Sequence, residues 1–430
     1  MGRPGEKDGG AHDLRPVYAA ALLGYLLLLP PQFILQLGDL VLPPYRLFLI
    51  PAFFFVVARI ASGSFRLTMP DMLVAAAAGW IFLALAVTMG PARSINSGGA
   101  QFIDIALSYL FARCAFASLR DLRIFLLLMA PALLATGLLM AVESVGQRYY
   151  GQTLAGSLVG RPLDTQGLGF DIRLGLMRAP GPFPHPILAG IFLGSFLALF
   201  AFSGLRGWPR IAGIAAAICS IFSISSAAFL ALAAGLALMV YDRVVERIGN
   251  LSWRLFIAGF GIILFVAQFA TQSGAIGLLT RFGSINEWSA YYRRLIWRFG
   301  SESVVANPLF GIGYADWDRP SWMTSSVDNF WLLLAMQFGL LPAIALLAAA
   351  VLAVVQAGRA SAAYNVLDRR LMRALAISLG LFALGAFSVS LWLSAQVWFF
   401  MLLGIVVTLS SMPALRLPVR TPAALSANAA

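Results

Sequence analysis

Long apolar runs recur from one end of the chain to the other, and shorter polar segments separate them. A helix needs about 20 residues, most of them apolar, to cross the roughly 30 Å hydrocarbon core of a bilayer. The pattern therefore predicts an all-α polytopic membrane protein with about twelve transmembrane helices in a single membrane-embedded domain, residues 1–430. The predicted spans are residues 16–36, 43–61, 70–90, 99–117, 122–142, 185–204, 210–225, 226–241, 252–273, 329–356, 371–390 and 392–412.

Two of the polar segments, residues 143–184 and 274–328, are too long to be simple connections. Loops of this length in compact proteins are usually functional or disordered, and the aromatic residues and Gly-Pro punctuation of both segments argue against disorder. In the second segment, residues 286–303 have helical periodicity, which predicts a short amphipathic helix along the membrane surface. The residues on its apolar face are Trp288, Tyr292, Leu295 and Phe299.

The basic residues predict the orientation of the spans. With a cytoplasmic N-terminus, 19 of the 30 Lys and Arg residues fall on or beside short loops of the cytoplasmic side, as the positive-inside rule requires. Both termini are then cytoplasmic, and both long segments lie on the opposite side. Nine basic residues lie on the long segments: Arg148, Arg161, Arg173, Arg178, Arg281, Arg293, Arg294, Arg298 and Arg319.

Composition supports this class and narrows the chemistry. The chain is 60% hydrophobic and only 11% charged, whereas soluble domains carry about 25% charged residues. The net charge of +12 would suggest a nucleic-acid partner in a soluble protein, but here most of it is accounted for by orientation, so we expect no nucleic acid. The two cysteines, Cys114 and Cys219, fall inside predicted spans, so neither a disulfide framework nor a metal site is expected.

Both long segments end in residues that could carry chemistry. Arg178 begins a proline-rich stretch up to Pro186 that is stiff and non-helical, which would hold Arg178 at a fixed height beside the sixth span. Asp328-Asn329 is expected to provide the N-cap of the tenth span, which would place the Asp328 carboxylate at the outer mouth of the bundle.

Each of these residues also has a plain structural interpretation. Arginines at helix ends often reach to lipid headgroups, and a basic amphipathic helix binds anionic lipid. Asp328 could be only a helix cap, and His185, between two prolines, could be only a packed residue. The functional alternative is that the arginines clamp a pyrophosphate, because guanidinium groups bind phosphate oxygens in pairs.

The order of four short motifs favours the functional alternative. Arg178-x-x-Gly-x-Phe-x-x-Pro precedes a span, and Arg294-x-x-Trp follows on the outside. Asn307-Pro-Leu-Phe-Gly-Ile-Gly and Asp328-Asn-x-x-Leu come next, with Gly339 ten residues after Asn329. This resembles the O-antigen ligase and polymerase superfamily of bacterial surface-polysaccharide enzymes, from Arg178 to Gly339 in motif detail and over the whole chain in layout.

The resemblance implies an enzyme of the bacterial inner membrane that transfers a glycan from undecaprenyl pyrophosphate to an acceptor at the periplasmic face, without metal or other cofactor. By resemblance, Arg178 and Arg294 would hold the pyrophosphate. The family's ligases have a histidine where this chain has Asp328, and it is proposed to activate the acceptor hydroxyl; Asp328 would take that role here. The remaining candidate substrate-binding residues are Arg281, Tyr291, Arg293, Arg298, Asn329 and His185.

Three functions remain open from the sequence. The first is a polymerase that joins repeat units of an exopolysaccharide or O-antigen-like glycan, favoured because Asp328 replaces the ligase histidine. The second is an O-antigen ligase that transfers glycan to lipid A core or to protein. The third is a flippase or another twelve-helix transporter; carriers place ionisable residues near the bilayer midplane, whereas here Asp104 is the main charge inside a span. The expected partners are the lipid-linked oligosaccharide donor, a glycan acceptor, membrane lipids, and a chain-length regulator or export machinery.

Overall fold

The computed structural model describes residues 13–411, apart from 39, 64, 162–171, 249–251, 272–273 and 276–286. These residues form a bundle of helices. In the first half of the chain they are α1 (Arg15–Leu27), α2 (Pro44–Ala61), α3 (Met69–Met89), α4 (Pro91–Phe102), α5 (Ser108–Ala115), α6 (Leu119–Gly146), α7 (Tyr150–Val159), α8 (Pro186–Gly194) and α9 (Phe196–Phe202). In the second half they are α10 (Trp208–Ile218), α11 (Ser226–Arg247), α12 (Trp253–Ala270), α13 (Glu287–Ala306), α14 (Phe330–Phe338), α15 (Leu340–Ser361), α16 (Val366–Gly385) and α17 (Ser394–Ser411).

Seven of the described helices are long and apolar enough to cross a membrane. They are α2, α3, α6, α11, α12, α15 and α17. Three shorter apolar stretches accompany them: Arg15–Leu27, Pro186–Phe202 and Trp208–Ser223. The expectation of an all-α membrane protein is therefore confirmed.

Several predicted spans are interrupted, although their apolar character is continuous. The span predicted at 329–356 breaks at Gly339, whose φ of +87° lies in a region that favours glycine. The span at 185–204 divides at Ser195, and the one at 99–117 contains a π-helix, Ile103–Leu107. The first span ends early, because Pro30 and Pro31 cannot continue a helix.

Two short antiparallel hairpins, absent from the prediction, supplement the helices. Strand β1 (Leu35–Leu37) pairs with β2 (Leu40–Leu42), and β3 (Ile172–Arg173) pairs with β4 (Leu176–Met177). In the second hairpin the turn residues Leu174 and Gly175 both have positive φ, as a two-residue hairpin turn requires. This hairpin positions Arg173 and leads directly into Arg178.

The core surrounds α17, in which every residue from Ser394 to Leu409 is buried. The Trp398 ring stacks on Phe125 of α6 and on Phe196 of α9, and its indole N–H donates to the Ser195 hydroxyl at 2.9 Å. Helix α12 is the opposite case, since Ala267 is its only buried residue. Such an apolar, exposed helix fits a lipid environment.

Ion pairs join helix ends at one end of the bundle. Arg113, near the end of α5, donates to both carboxylate oxygens of Asp71, in the first turn of α3, at 2.8 and 2.9 Å. Asp368, in the first turn of α16, accepts from Arg123 at 2.5 Å. Since α3 and α6 begin at this end, they end at the other end, where the starts of α8, α14 and α17 also lie. The described parts of the two long polar segments lie there as well.

Candidate functional site

Charged side chains from the two long polar segments meet at the start of α14. Arg178 and Arg293 are 8% and 9% exposed, and both lie close enough to Asp328 for their charges to interact with its carboxylate. Arg173 is close enough to Arg293 for the two guanidinium groups to repel each other. Among the described side chains, three arginines therefore lie around one carboxylate, an arrangement that is suited to an anion.

The backbone around Arg178 is fixed by the break between α10 and α11. The Ala179 N–H donates to the Phe222 carbonyl at 3.0 Å, and the Arg178 Nε–H donates to the Ser223 carbonyl at 3.3 Å. Both carbonyls belong to the 3₁₀ turn Cys219–Ser223. These hydrogen bonds hold Arg178 in place against the turn.

Two buried polar side chains hold the same proline-rich stretch from the other side. Glu143, at the end of α6, accepts a hydrogen bond from the Gly181 N–H and another from the Gly151 N–H, both at 2.9 Å. Gln152 of α7 donates to the Phe183 carbonyl at 2.6 Å. The turn after Arg178 is thus anchored to two helices.

Arg293 reaches the site because the face of α13 that carries it packs against the bundle. The buried positions of the helix are Arg293, Ile296, Gly300 and Val304, which recur at helical spacing. A Cβ on Gly300 would lie 2.8 Å from a methyl group of Leu332, so the glycine lets α13 approach α14 closely. The predicted helix is confirmed. The apolar face expected to lie in the headgroup boundary is not the face that packs on the bundle: Trp288 is 63% exposed, and Tyr292, Leu295 and Phe299 are half-buried.

Of the Asp328-Asn329 pair, Asn329 is the helix cap. Its side-chain oxygen accepts from the Leu332 N–H at 3.0 Å, and the Phe330 N–H donates to the Ala386 carbonyl at 2.8 Å. The interpretation of Asp328 as a plain N-cap is therefore wrong. Its carboxylate is left to face the arginines.

The Asn307–Gly313 motif holds the break that ends α14. The Ile312 and Gly313 N–H groups donate to the carbonyls of Met336 and Gln337 at 2.8 and 2.9 Å, and the Leu340 N–H donates to the Pro308 carbonyl at 2.9 Å. Gly311 and Gly313 have positive φ, so the predicted tight turn is confirmed. These backbone hydrogen bonds fix the position of α14, and with it that of Asp328, which precedes the helix.

Burial and charge act in opposite directions on the acid and the base of this cluster. Burial raises the pKa of Asp328, while the charges of Arg293 and Arg178 lower it, and the net shift is upward. Burial lowers the pKa of Arg293; Asp328 raises it, and Arg173 and Arg178 lower it further. A half-buried carboxylate with a raised pKa is a better proton acceptor near neutral pH than an exposed one.

The other predicted site residues are placed differently. Arg294 is exposed and lies over the Tyr291 ring, 5.7 Å from its centroid, and Arg298 is exposed with Glu302 at 3.6 Å. His185 caps α8, because its Nδ1 accepts from the Ile187 N–H at 3.2 Å. Arg281 lies outside the described residues.

Sequence reasoning did not select Arg173, Glu143 or Gln152 for the site. A local signal existed for Arg173: Leu174-Gly175, between Ile172-Arg173 and Leu176-Met177, is compatible with a hairpin that would turn Arg173 back toward Arg178. The only signal for Glu143 was its place, a single acidic residue at the end of a long apolar run. Comparison with known protein families and with curated proteins finds no match for the chain.

Proposed function

We propose that this protein is a glycosyltransferase of the bacterial inner membrane that polymerises repeat units carried on undecaprenyl pyrophosphate. In this proposal the chain crosses the membrane about twelve times with both termini in the cytoplasm, and the cluster around Asp328 faces the periplasm. The motif order shared with the O-antigen ligase and polymerase superfamily is the first support for this assignment.

The observation that carries the proposal is the convergence of Arg178 and Arg293 on Asp328. The arginines come from different long segments and are largely buried, which is costly for charged groups without a compensating partner. A pyrophosphate bound here would place negative charge beside both guanidinium groups. Guanidinium groups bind phosphate oxygens in pairs, and a lipid-linked donor brings its pyrophosphate to the membrane surface, where these arginines lie.

The residues supply what a preactivated donor needs. An acceptor hydroxyl attacks the anomeric carbon of the donor glycan, the bond from that carbon to the pyrophosphate oxygen breaks, and the lipid pyrophosphate leaves. Arg178 and Arg293 stabilise the negative charge that develops on the leaving group. The Asp328 carboxylate accepts the hydroxyl proton, a step typically worth about 10²–10⁴-fold in rate.

The distribution of arginines supports the proposed orientation. The arginines in ion pairs at one end of the bundle, Arg113, Arg123 and Arg373, pair with Asp71, Asp368 and Asp242. Those residues fall on the side that the positive-inside rule assigns to the cytoplasm. The arginines of the candidate site lie at the other end.

Reconstitution in vesicles with the lipid-linked repeat unit of the host tests the proposal. We expect a ladder of longer glycans, with one undecaprenyl pyrophosphate released for each glycosidic bond that forms. Transfer of one glycan to lipid A core or to protein, without a ladder, would favour the ligase. Movement of the donor across the bilayer without bond cleavage would favour a transporter and contradict the proposal.

A further inference from the structure

A second polar cluster, separate from the arginine site, surrounds Asp104 at the same end of the bundle. Asp104 is 3% exposed and lies in the π-helix between α4 and α5. Single π-turns inside helices frequently occur at functional sites, and an ionisable residue inside a membrane segment usually has a functional role. The mechanism proposed above does not use this residue.

The cluster contains a buried ion pair. Arg46 of α2 donates to both oxygens of Asp104, from Nε at 2.9 Å and from a terminal nitrogen at 2.6 Å, and the Tyr45 hydroxyl lies 3.4 Å from the same carboxylate. The other terminal nitrogen of Arg46 donates to the Val41 carbonyl at 2.8 Å. The two charges neutralise each other, so a further charged ligand gains little here.

Two amides and a phenol lie next to the ion pair. The Gln101 amide N–H donates to the Tyr314 hydroxyl at 3.4 Å, and the Gln396 amide N–H donates to the Gln101 amide oxygen at 3.1 Å. Within the described part of the chain, the Gln396 amide makes no other hydrogen bond. Tyr314 is 41% exposed, and its ring lies nearly perpendicular to the Phe338 ring, with 6.0 Å between the ring centroids.

This combination fits a neutral sugar. Side-chain amides and a phenol offer both donors and acceptors, which match the hydroxyl groups of a sugar, and an exposed aromatic ring can cover its apolar C–H face. We propose that Gln101, Gln396 and Tyr314 form a saccharide-binding subsite for the acceptor glycan, an inference that rests on the proposed function. The Arg46–Asp104 ion pair supports these three residues from the side of the core.

The position of the subsite suits an acceptor. Gln396 lies four residues before Phe400 on α17, about 6 Å along the axis, and the centroid of the Phe400 ring is 6.5 Å from that of Phe330. Phe330 follows the Asp328-Asn329 pair directly. Through this contact the helix that carries Gln396 packs against the helix that follows Asp328.

The test measures binding of the host's repeat-unit oligosaccharide, released from its lipid carrier by mild acid and therefore free of pyrophosphate. The full-length protein in nanodiscs is titrated with this probe and the Kd is measured by calorimetry. Gln101→Ala is expected to raise the Kd about tenfold and Tyr314→Phe about three- to tenfold, as expected for loss of a hydrogen bond. Both positions are partly exposed, so folding is preserved.

Controls separate this inference from the proposed function. Gln36→Ala, at an exposed glutamine of β1, should leave the Kd unchanged. Arg293→Ala should also leave it unchanged, because the probe carries no pyrophosphate. The subsite is overturned if the oligosaccharide does not bind the unmodified protein, or if Gln101→Ala and Tyr314→Phe bind it as tightly. If Arg293→Ala still polymerises the donor, the proposal that Arg293 binds the pyrophosphate is wrong. The proposal of a saccharide subsite is then still judged by the Kd values alone.

Discussion

Arg293 and Arg294 are neighbours in the chain, yet they lie in different environments. Arg293 is buried against Asp328 and Arg178, while Arg294 is exposed over the Tyr291 ring. The resemblance selected Arg294, from its spacing to Trp297. One helical residue is about 100° of rotation, so a motif of four residues does not decide which of two adjacent arginines faces the site. We favour Arg293, because it is the one of the two that is buried beside Asp328.

Asp328 should control the acidic limb of the pH profile. A proton acceptor must be ionised, so kcat/KM should fall as the pH is lowered through the pKa of Asp328, which burial raises above its ordinary value. Asp328→Asn should lower kcat/KM by about 10²–10⁴-fold and remove that limb. The measurement is the rate of polymer formation in vesicles as a function of pH.

The matched control is Asp316→Asn on the same segment. Asp316 is an exposed carboxylate paired with Arg319 at 2.5 Å, and this hydrogen bond lowers its pKa. Its replacement should leave the profile unchanged. An Asp328→Asn variant with a normal rate and an intact acidic limb would show that Asp328 is not the base.

Among the secondary-structure elements, the site depends on where helices end and on the hydrogen bonds made at those ends. Glu143 and Gln152 hold the turn after Arg178, and the Asn307–Gly313 motif holds the break at Gly339. The side chains and the motif provide hydrogen-bond partners for backbone groups at or near helix ends, which would otherwise be buried without partners. The Asn307–Gly313 motif of the family resemblance is therefore structural: its backbone fixes the helix that follows Asp328.

Glu143 should act as a positioning residue for Arg178. Glu143→Gln keeps one acceptor oxygen but loses the other, so either the Gly151 or the Gly181 N–H loses its partner. The loss of one buried hydrogen bond is worth about 1–3 kcal/mol. We expect a rise of about tenfold in KM for the lipid-linked donor with a smaller change in kcat, as for weakened donor binding.

Glu302→Gln is the control for this variant, because Glu302 is exposed and pairs only with Arg298 on the outer face among the described residues. It should leave KM and kcat unchanged. A Glu143→Gln enzyme with unaltered KM would mean that the turn does not depend on this carboxylate.

Gly339 should be intolerant of any side chain. A Cβ there would lie 1.9 Å from the Leu309 carbonyl oxygen, and the φ of +87° is strained for other residues. Gly339→Ala should destabilise the fold by about 2–4 kcal/mol and lower the melting temperature of the detergent-solubilised protein. Gly259→Ala, on exposed α12 with nothing within 4 Å of the added methyl, should not lower it.

At the scale of the whole molecule, the sequence is informative where the signal is local. Apolar runs predict membrane helices because each helix satisfies its own backbone groups in lipid, and the proline-rich stretch predicts a fixed Arg178. The interruptions at Ser195 and Gly339 could not be predicted, because hydropathy does not change there. The convergence of Arg173, Arg178 and Arg293 could not be predicted either, because it depends on how distant helices pack.

The central claim is that one anion site is built from both long segments, with Arg293 as its contribution from α13. Polymer formation by Arg293→Ala and Arg294→Ala, compared at equal protein levels in a strain that lacks the gene, tests it most directly. We expect Arg293→Ala to lose about 100-fold or more in rate, Arg293→Lys to recover little of it, and Arg294→Ala to stay near normal. Full activity of Arg293→Ala with loss in Arg294→Ala would contradict the account.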